Sequence, residues 1–367
     1  MNRQPVPLST MTLQHTFGTN LRALSALAIA TAAALSLLLS PFARAGDYQN
    51  RSDVSAMIDE MVAEGLDRER LETLMASAER KDKILEAIAR PAEKTLNWER
   101  YRKIFIQQSR IDQGVEFRQE QEATLARSEQ TFGVDRDMIL AILGIETRYG
   151  RTKGGYKVID ALATLGFDYP PRSKFFLGQL KELFRLEQRA HIDAATITGS
   201  YAGAMGFPQF IPSSYIHYAV DFDDDGVTDL VNNPVDAIGS VGSYFKAHKW
   251  TTGLPVAARA RVSGDQYQSL INDKGKPDMT LKEAKKAGIV PVPCDETVHC
   301  FASVKGDADK KMNVALIELE GEKGAEFWLV TDNFYTITRY NHSVLYAMAA
   351  YQLSRELSAS NPEKAPK

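Results

Sequence analysis

The run VDRDMILAILGIETRYG (134–150) decides how the chain is built. Asp135 is a capping residue, and Met138, Ile139, Ile142, Leu143 and Ile145 follow it at helical spacing to a stop at Gly150. At 100° per residue, Glu146 shares a face with Ile142 and Ile139, and Leu143 lies beside it. A carboxyl thus stands on the apolar side of a helix, one turn from its end. Burial without a cation disfavours the charged form of a carboxyl, which suits a general acid near neutrality. An ion pair with Arg148 or Arg151 at the helix end is the other reading of the same residues.

Working outward, the chain on both sides is largely helical. Val54, Met57, Ile58, Met61 and Val62 recur every three or four residues and stop at Gly65. Asp67 caps a helix with Leu71, Leu74 and Met75; a stretch with Ile84, Leu85 and Ile88 ends at Pro91; Trp98, Tyr101, Ile104 and Phe105 open another. Helical patterns return at 173–190, 234–249 and 343–357. Between 251 and 331 the character changes: 256–262, 314–319 and 326–330 read as strands, the last two joined by a turn at Gly321-Glu322-Lys323-Gly324. No internal repeat is visible.

Two further segments carry chemistry. In DFDDDG (221–226), Asp at loop positions 1, 3 and 5 with Gly at 6 matches the start of an EF-hand loop. Val227 supplies a backbone carbonyl at position 7 and Asp229 stands at 9. Position 12 is Asn232 rather than the bidentate Glu, so Asp236 is the candidate for closing the loop. Five acids in nine residues repel one another without a counter-ion; a solvated acidic turn is the alternative. GSYAGAMGFPQF (199–210) is rich in small residues that let backbone approach a ligand or a helix closely. Gln209 there is a neutral donor and acceptor among aromatics, as a sugar site needs.

The first 45 residues contain Arg3, Arg22 and Arg44, no acid, an apolar run from Ala23 to Leu39, and Ala43-Arg44-Ala45. This is the pattern of a secretory signal cleaved after Ala45, with an uncleaved anchor as the alternative. Cys294 and Cys300 are the only cysteines, and an exported chain favours their pairing as a disulfide. The 367 residues carry 47 acids against 44 Lys plus Arg, with 44% hydrophobic and 25% charged residues. That composition excludes a mostly disordered chain and gives no support to a nucleic-acid binder. The histidines lack metal-ligand spacing, and there is no Gly-x-Ser-x-Gly elbow or phosphate loop.

Taken together, GIETRYG (144–150), GSYAGAMGFPQFIPSSY (199–215), DFDDDGVTDL (221–230), NPVDAIGSVGSYFKAHKW (233–250) and NFYTITRYNHS (333–343) resemble the lytic murein transglycosylase B family. The resemblance implies an α+β, mainly α fold: a lysozyme-like core with a helical N-terminal part, one EF-hand-like loop and a small β-rich insert. The expected divisions are a signal at 1–45, helices at 46–127, the catalytic core at 128–250, the insert at 251–331, a return to the core at 332–357 and a disordered tail at 358–367. The implied activity is cleavage of the β-1,4 bond between N-acetylmuramic acid and N-acetylglucosamine, leaving a 1,6-anhydro end. The catalytic acid of the family falls on Glu146 and its substrate-binding residues on Ser200, Gln209, Tyr244, Tyr340 and Asn341. Its calcium ligands, for a structural ion, fall on Asp221, Asp223, Asp225, Val227 and Asp236. Peptidoglycan glycan strands are the implied partner, other cell-wall enzymes are further candidates, and a monomer in the periplasm without a lipid-anchor cysteine is expected. A goose-type lysozyme and a non-catalytic wall-binding protein are the competing functions.

Overall fold

The structure is a computed structural model and describes residues 46–89, 96–190, 192–301 and 311–361. The expected signal, the stop at Pro91 and the end of the tail from 362 lie outside the described residues.

The helix foreseen at 135–150 is the centre of the molecule. Counting the elements in chain order, it is α6 (Arg136–Thr147), and every residue from Asp137 to Ile145 is buried. The Asp135 carboxylate accepts the Asp137 N–H at 2.7 Å and starts the helix as the sequence predicts. Because α6 is apolar all round, helices must cover it on every side. Those packed on it are α5 (Gln108–Phe132), α10 (Pro234–Ala247) and α13 (Val344–Ala359), and α4 (Trp98–Phe105) and α12 (Asp332–Tyr340) pack on α13 and join the same apolar cluster. Helix α5 runs through the expected boundary at 127.

A second cluster joins α1 (Ser52–Ala63), α2 (Arg68–Ser77) and α3 (Asp82–Ile88) to α7 (Val158–Asp168) and α8 (Ser173–Arg189). The short α9 (Pro212–Tyr218) packs on α8 and α10. Buried polar groups tie these parts together. Asp160 of α7 accepts the Glu79 N–H at 2.9 Å and lies 3.5 Å from the Lys81 ammonium. The Tyr48 hydroxyl donates to Asp168 at 2.8 Å.

A two-residue pair, β1 (Tyr156–Lys157) with β2 (Thr198–Gly199), stands beside the Gly-rich segment. The region from 251 to 331 forms an antiparallel sheet in the order β4 (Met279–Thr280), β6 (Asn313–Gly321), β7 (Gly324–Val330), β3 (Ala257–Val262) and β5 (Ile289–Pro291). The strands alternate as a half-buried sheet must. Ala315, Ile317, Leu319, Trp328 and Val330 join the core around α6, whereas Val314, Leu316 and Leu329 face a small separate core with Leu281 and Ala284 of α11 (Leu281–Lys286).

Cys294 and Cys300 are disulfide-bonded, with Cα atoms 5.2 Å apart. The closed loop turns His299 inward against Trp328 at 5.3 Å and Tyr351 at 5.5 Å. Burial, aided by the charges of Arg355, Arg259 and Arg102, pushes His299 down to about 4. An unfolded histidine titrates near 6.5, so between these values the unfolded chain binds the extra proton. This histidine therefore subtracts stability as pH falls from about 6.5 to about 4. Thermal melts across that window are expected to decline less steeply for His299→Gln than for the parent protein; superimposable slopes would show that the ring is not held neutral.

Candidate active site

Glu146 lies half-buried at the C-terminal end of α6, above Ile142 and Ile139, whose side chains are fully buried. The Tyr346 hydroxyl, from the first turns of α13, donates to Glu146 Oε1 at 2.5 Å. Burial and then the Glu146 charge push Tyr346 well above its ordinary value, so it remains a donor across all working pH. The same two causes act on Tyr340. The neighbouring cations are engaged elsewhere: Arg148 donates to Gln113 and Ser109, and Arg151 pairs with Glu116 at 2.5 Å. The flanking acids are also committed, Asp137 to Arg118 at 2.6 Å and Asp160 to the α2–α3 junction.

The segment 199–210 folds into two linked turns against this helix end. Met205 and Phe210 exchange both backbone hydrogen bonds, and Ser200 N–H donates to Ala204 O at 2.8 Å. Ser200 Oγ accepts the N–H groups of Ala202 and Ala204 at 3.2 and 3.1 Å. With its lone pairs so used, the hydroxyl proton is what Ser200 has to offer. Gln209 is in the left-handed region at φ 50°, an unfavourable state that surrounding contacts must hold. Its amide nitrogen donates to Lys153 O at 3.2 Å and Gly206 O at 2.9 Å, leaving Oε1 as an acceptor. Ser200 and Gln209 therefore present complementary hydrogen-bonding groups on one loop.

The tyrosines divide by position. Tyr340 stands between the loop and the helices: its hydroxyl donates to Pro208 O at 2.6 Å, and its ring lies parallel to Tyr346 at 6.4 Å. Asn341 follows it directly at the end of α12, half-buried. Tyr244 is buried behind, 4.8 Å from the Tyr340 ring and stacked on His248 at 4.0 Å, with its hydroxyl given to Arg339 O at 2.6 Å. It supports Tyr340 from the core side and offers no open face. Tyr346 is a partner of Glu146 that the sequence does not single out. Its two hundred residues of separation from Glu146 and its apolar neighbours gave no local signal.

The acidic loop brings carboxylate oxygens of Asp221, Asp223 and Asp236 within 4.8 Å of one another. Ligands around one calcium ion, at about 2.3–2.6 Å each, span at most about 5 Å, so these three fit a single hard cation. Asp236 is fully buried in the first turn of α10, and its oxygens accept the Phe222 and Asp229 N–H groups at 2.7 and 2.8 Å. Burial, with the charges of Asp223 and Asp221, pushes it upward, as expected of acids gathered without a counter-charge. Asp225 lies outside the trio and accepts the Val227 N–H at 2.8 Å. Gly226 has φ 90°, which permits the reversal there.

The acidic loop and the Gly-rich loop touch. Phe207 N–H donates to Leu230 O at 2.8 Å. A Cβ on Gly206, whose φ is +70°, would lie 2.2 Å from that same Leu230 oxygen.

A model of the transglycosylase SLT domain matches residues 49–355. The membrane-bound lytic murein transglycosylase B of Escherichia coli is 38% identical over 323 residues, covering 85% of this chain and 84% of its own. The soluble lytic transglycosylase SltB1 of Pseudomonas aeruginosa superposes with a TM-score of 0.76 at 43% identity, over 84% of this chain and 99% of that one. The Escherichia coli lytic transglycosylase Slt35 in complex with calcium gives 0.75 at 38% identity, over 86% and 96%. Both the left-handed backbone and the backbone oxygen oppose a side chain at position 206. Gly206→Ala is therefore expected to cost at least about 2 kcal/mol in denaturant unfolding; a change within experimental error would mean that the two loops are not in contact.

Proposed function

Because the chain belongs to the transglycosylase SLT domain family, we propose that it is a lytic transglycosylase of peptidoglycan, cutting the β-1,4 bond between N-acetylmuramic acid and N-acetylglucosamine. The observation that carries the proposal is the Glu146 carboxyl, held by a tyrosine hydroxyl where α6 meets the Ser200–Gln209 loop. Most glycosidases employ two carboxyl groups, with substrate-assisted families as the exceptions. Here the flanking acids Asp137 and Asp160 are spent on structural partners, which favours a scheme in which the substrate supplies the second group.

In that scheme protonated Glu146 donates to the glycosidic oxygen as the C1–O bond breaks. The N-acetyl carbonyl of the muramic residue stabilises the positive charge that develops at C1. Glu146, now a carboxylate, takes the proton of the C6 hydroxyl, whose oxygen bonds to C1 and closes the anhydro ring. The proton count on Glu146 is restored and no water is consumed. Ser200 as donor, Gln209 as acceptor, and Tyr340 with Asn341 beside it would orient the glycan, and Tyr244 would support Tyr340. A leader cleaved after Ala45 would deliver the enzyme to the periplasm, where Cys294 and Cys300 can oxidise. Among the described residues no helix is long and apolar enough to cross a membrane.

Glu146→Gln preserves shape but has no proton to transfer. Turnover on purified sacculi is expected to fall by at least ~10²-fold with binding to sacculi retained, and wild-type digests should contain anhydro fragments one water lighter than hydrolysis products. Hydrated ends would make the enzyme a lysozyme, and near-normal rates in the variant would remove Glu146 from the chemistry.

We also assign calcium to the acidic loop, held by Asp221, Asp223 and Asp236 with Asp225 and the Val227 carbonyl as further ligands. The convergence of the trio and the calcium complex of Slt35 support this. An ion that binds only the native state stabilises it, by about 2.7 kcal/mol at a hundredfold excess over its dissociation constant. Millimolar calcium should raise the melting temperature by several degrees over chelator, and Asp223→Ala should erase the difference. Identical melts of the parent protein in both conditions would refute the assignment.

A further inference from the structure

Glu146 stands one residue from the point where its helix stops winding. Arg148, Tyr149 and Gly150 follow with φ of 50°, 61° and 85°. Three left-handed residues in succession, two of them bearing side chains, form only where contacts over-determine them.

Those contacts converge on this turn. Tyr149 wedges its ring into a niche left by two glycines: a Cβ on Gly114 of α5 would lie 2.4 Å from its hydroxyl, and one on Gly144 of α6 would lie 2.6 Å from it. Thr147, fully buried, makes the polar half. Its Oγ1 accepts the Gly150 N–H at 2.9 Å and donates to Phe207 O at 2.9 Å, the nearer of two acceptors, Leu143 O lying at 3.3 Å. One hydroxyl thus closes the left-handed turn behind Glu146 and grips the loop between Ser200 and Gln209. Phe207 is held from its other side by Leu230 O, so its carbonyl has little freedom to follow a displaced helix end.

We propose that Thr147 is a positioning residue, whose hydroxyl sets the distance and angle between the Glu146 carboxyl and the Ser200–Gln209 loop. This rests on the reading of Glu146 as the acid and base. Misplacing a reacting group by about 1 Å can cost ~10²-fold in rate. Thr147 touches no substrate, so its loss should appear in turnover rather than in glycan affinity.

The test compares Thr147→Val, which keeps the volume and removes the hydroxyl, with Thr147→Ser, which keeps the hydroxyl and loses a methyl. Steady-state rates on a soluble glycan oligomer are measured well below the melting temperature of each variant. The valine variant is expected to lose ~10- to 100-fold in kcat with KM changed no more than a few-fold, while the serine variant stays within a few-fold of the parent. A purely structural threonine predicts instead that kcat follows melting temperature across both variants, and that outcome, or a normal kcat in Thr147→Val, overturns the inference. If the valine variant does not fold, Thr147→Ala replaces it, since water can then reach Phe207 O and Gly150 N. Glu146→Gln is assayed alongside. Full activity there sinks the catalytic assignment itself, whereas an inactive Glu146→Gln with a normal Thr147→Val sinks the positioning role alone.

Discussion

A helix buried on every side leaves its last carbonyls without solvent, and each must find a donor or cost the fold a lost hydrogen bond. Helix α6 meets this at the end that carries Glu146. Leu143 O accepts Tyr149 N–H at 3.0 Å, and Gly144 O accepts Arg148 N–H at 3.1 Å and the buried Arg110 guanidinium at 2.9 Å. Turning Tyr149 N–H back to Leu143 O requires the left-handed residue at 148. The ring of Tyr149 then needs room, which the glycines at 114 and 144 supply. Much of what distinguishes this end of the molecule follows from burying a helix and still placing a carboxyl at its tip.

The site is assembled by backbone groups more than by side chains. Phe207 illustrates this: its N–H is bonded to the end of the acidic loop and its carbonyl to the residue after Glu146. Asp236 spans the same acidic loop, receiving Phe222 N–H near its start and Asp229 N–H near its end. Whatever neutralises Asp221, Asp223 and Asp236 therefore acts on a loop one residue removed from Leu230, and so on the floor beneath Gln209. The proposed cation site and the proposed glycan site share a wall without sharing a residue.

Local pattern made α6, the acidic turn and the three main strands legible, because each is a short-range regularity: an apolar stripe, Asp at alternate positions, period-two alternation. It did not reveal α5 as a single helix. Its buried face includes Arg110, Gly114, Arg118 and Ser128, which break the hydrophobic stripe, and Gln121 interrupts the helical backbone at φ −117°. Tyr346 was hidden for the opposite reason, since it lies among apolar neighbours and differs only in where its hydroxyl points. The resemblance sets Tyr244 among the substrate-binding residues, but whether an aromatic faces solvent or core is decided by tertiary packing, and this one is buried. The motifs pick out Glu146, Ser200 and Gln209 as candidates; the direction in which each hydrogen bond runs came only with coordinates.

The β-rich insert lies between α10 and α12, both of which carry site residues, so it must leave and re-enter the core without loosening either. Asn333 achieves this at the neck. Fully buried, its side chain accepts Thr251 N–H at 2.8 Å and donates to Thr251 O and Leu254 O at 2.9 and 2.8 Å, tying the outgoing strand of chain to the first turn of α12. Thr331, also fully buried, donates to Pro255 O at 2.5 Å and caps α12 through Asn333 N–H. From that fixed point α12 runs nine residues to Tyr340, and α13 then presents Tyr346 to Glu146. With its polar atoms paired inside the core, the neck fixes where the insert leaves and re-enters, and Ala315, Ile317, Trp328 and Val330 of the sheet pack into the same core as α12 and α13.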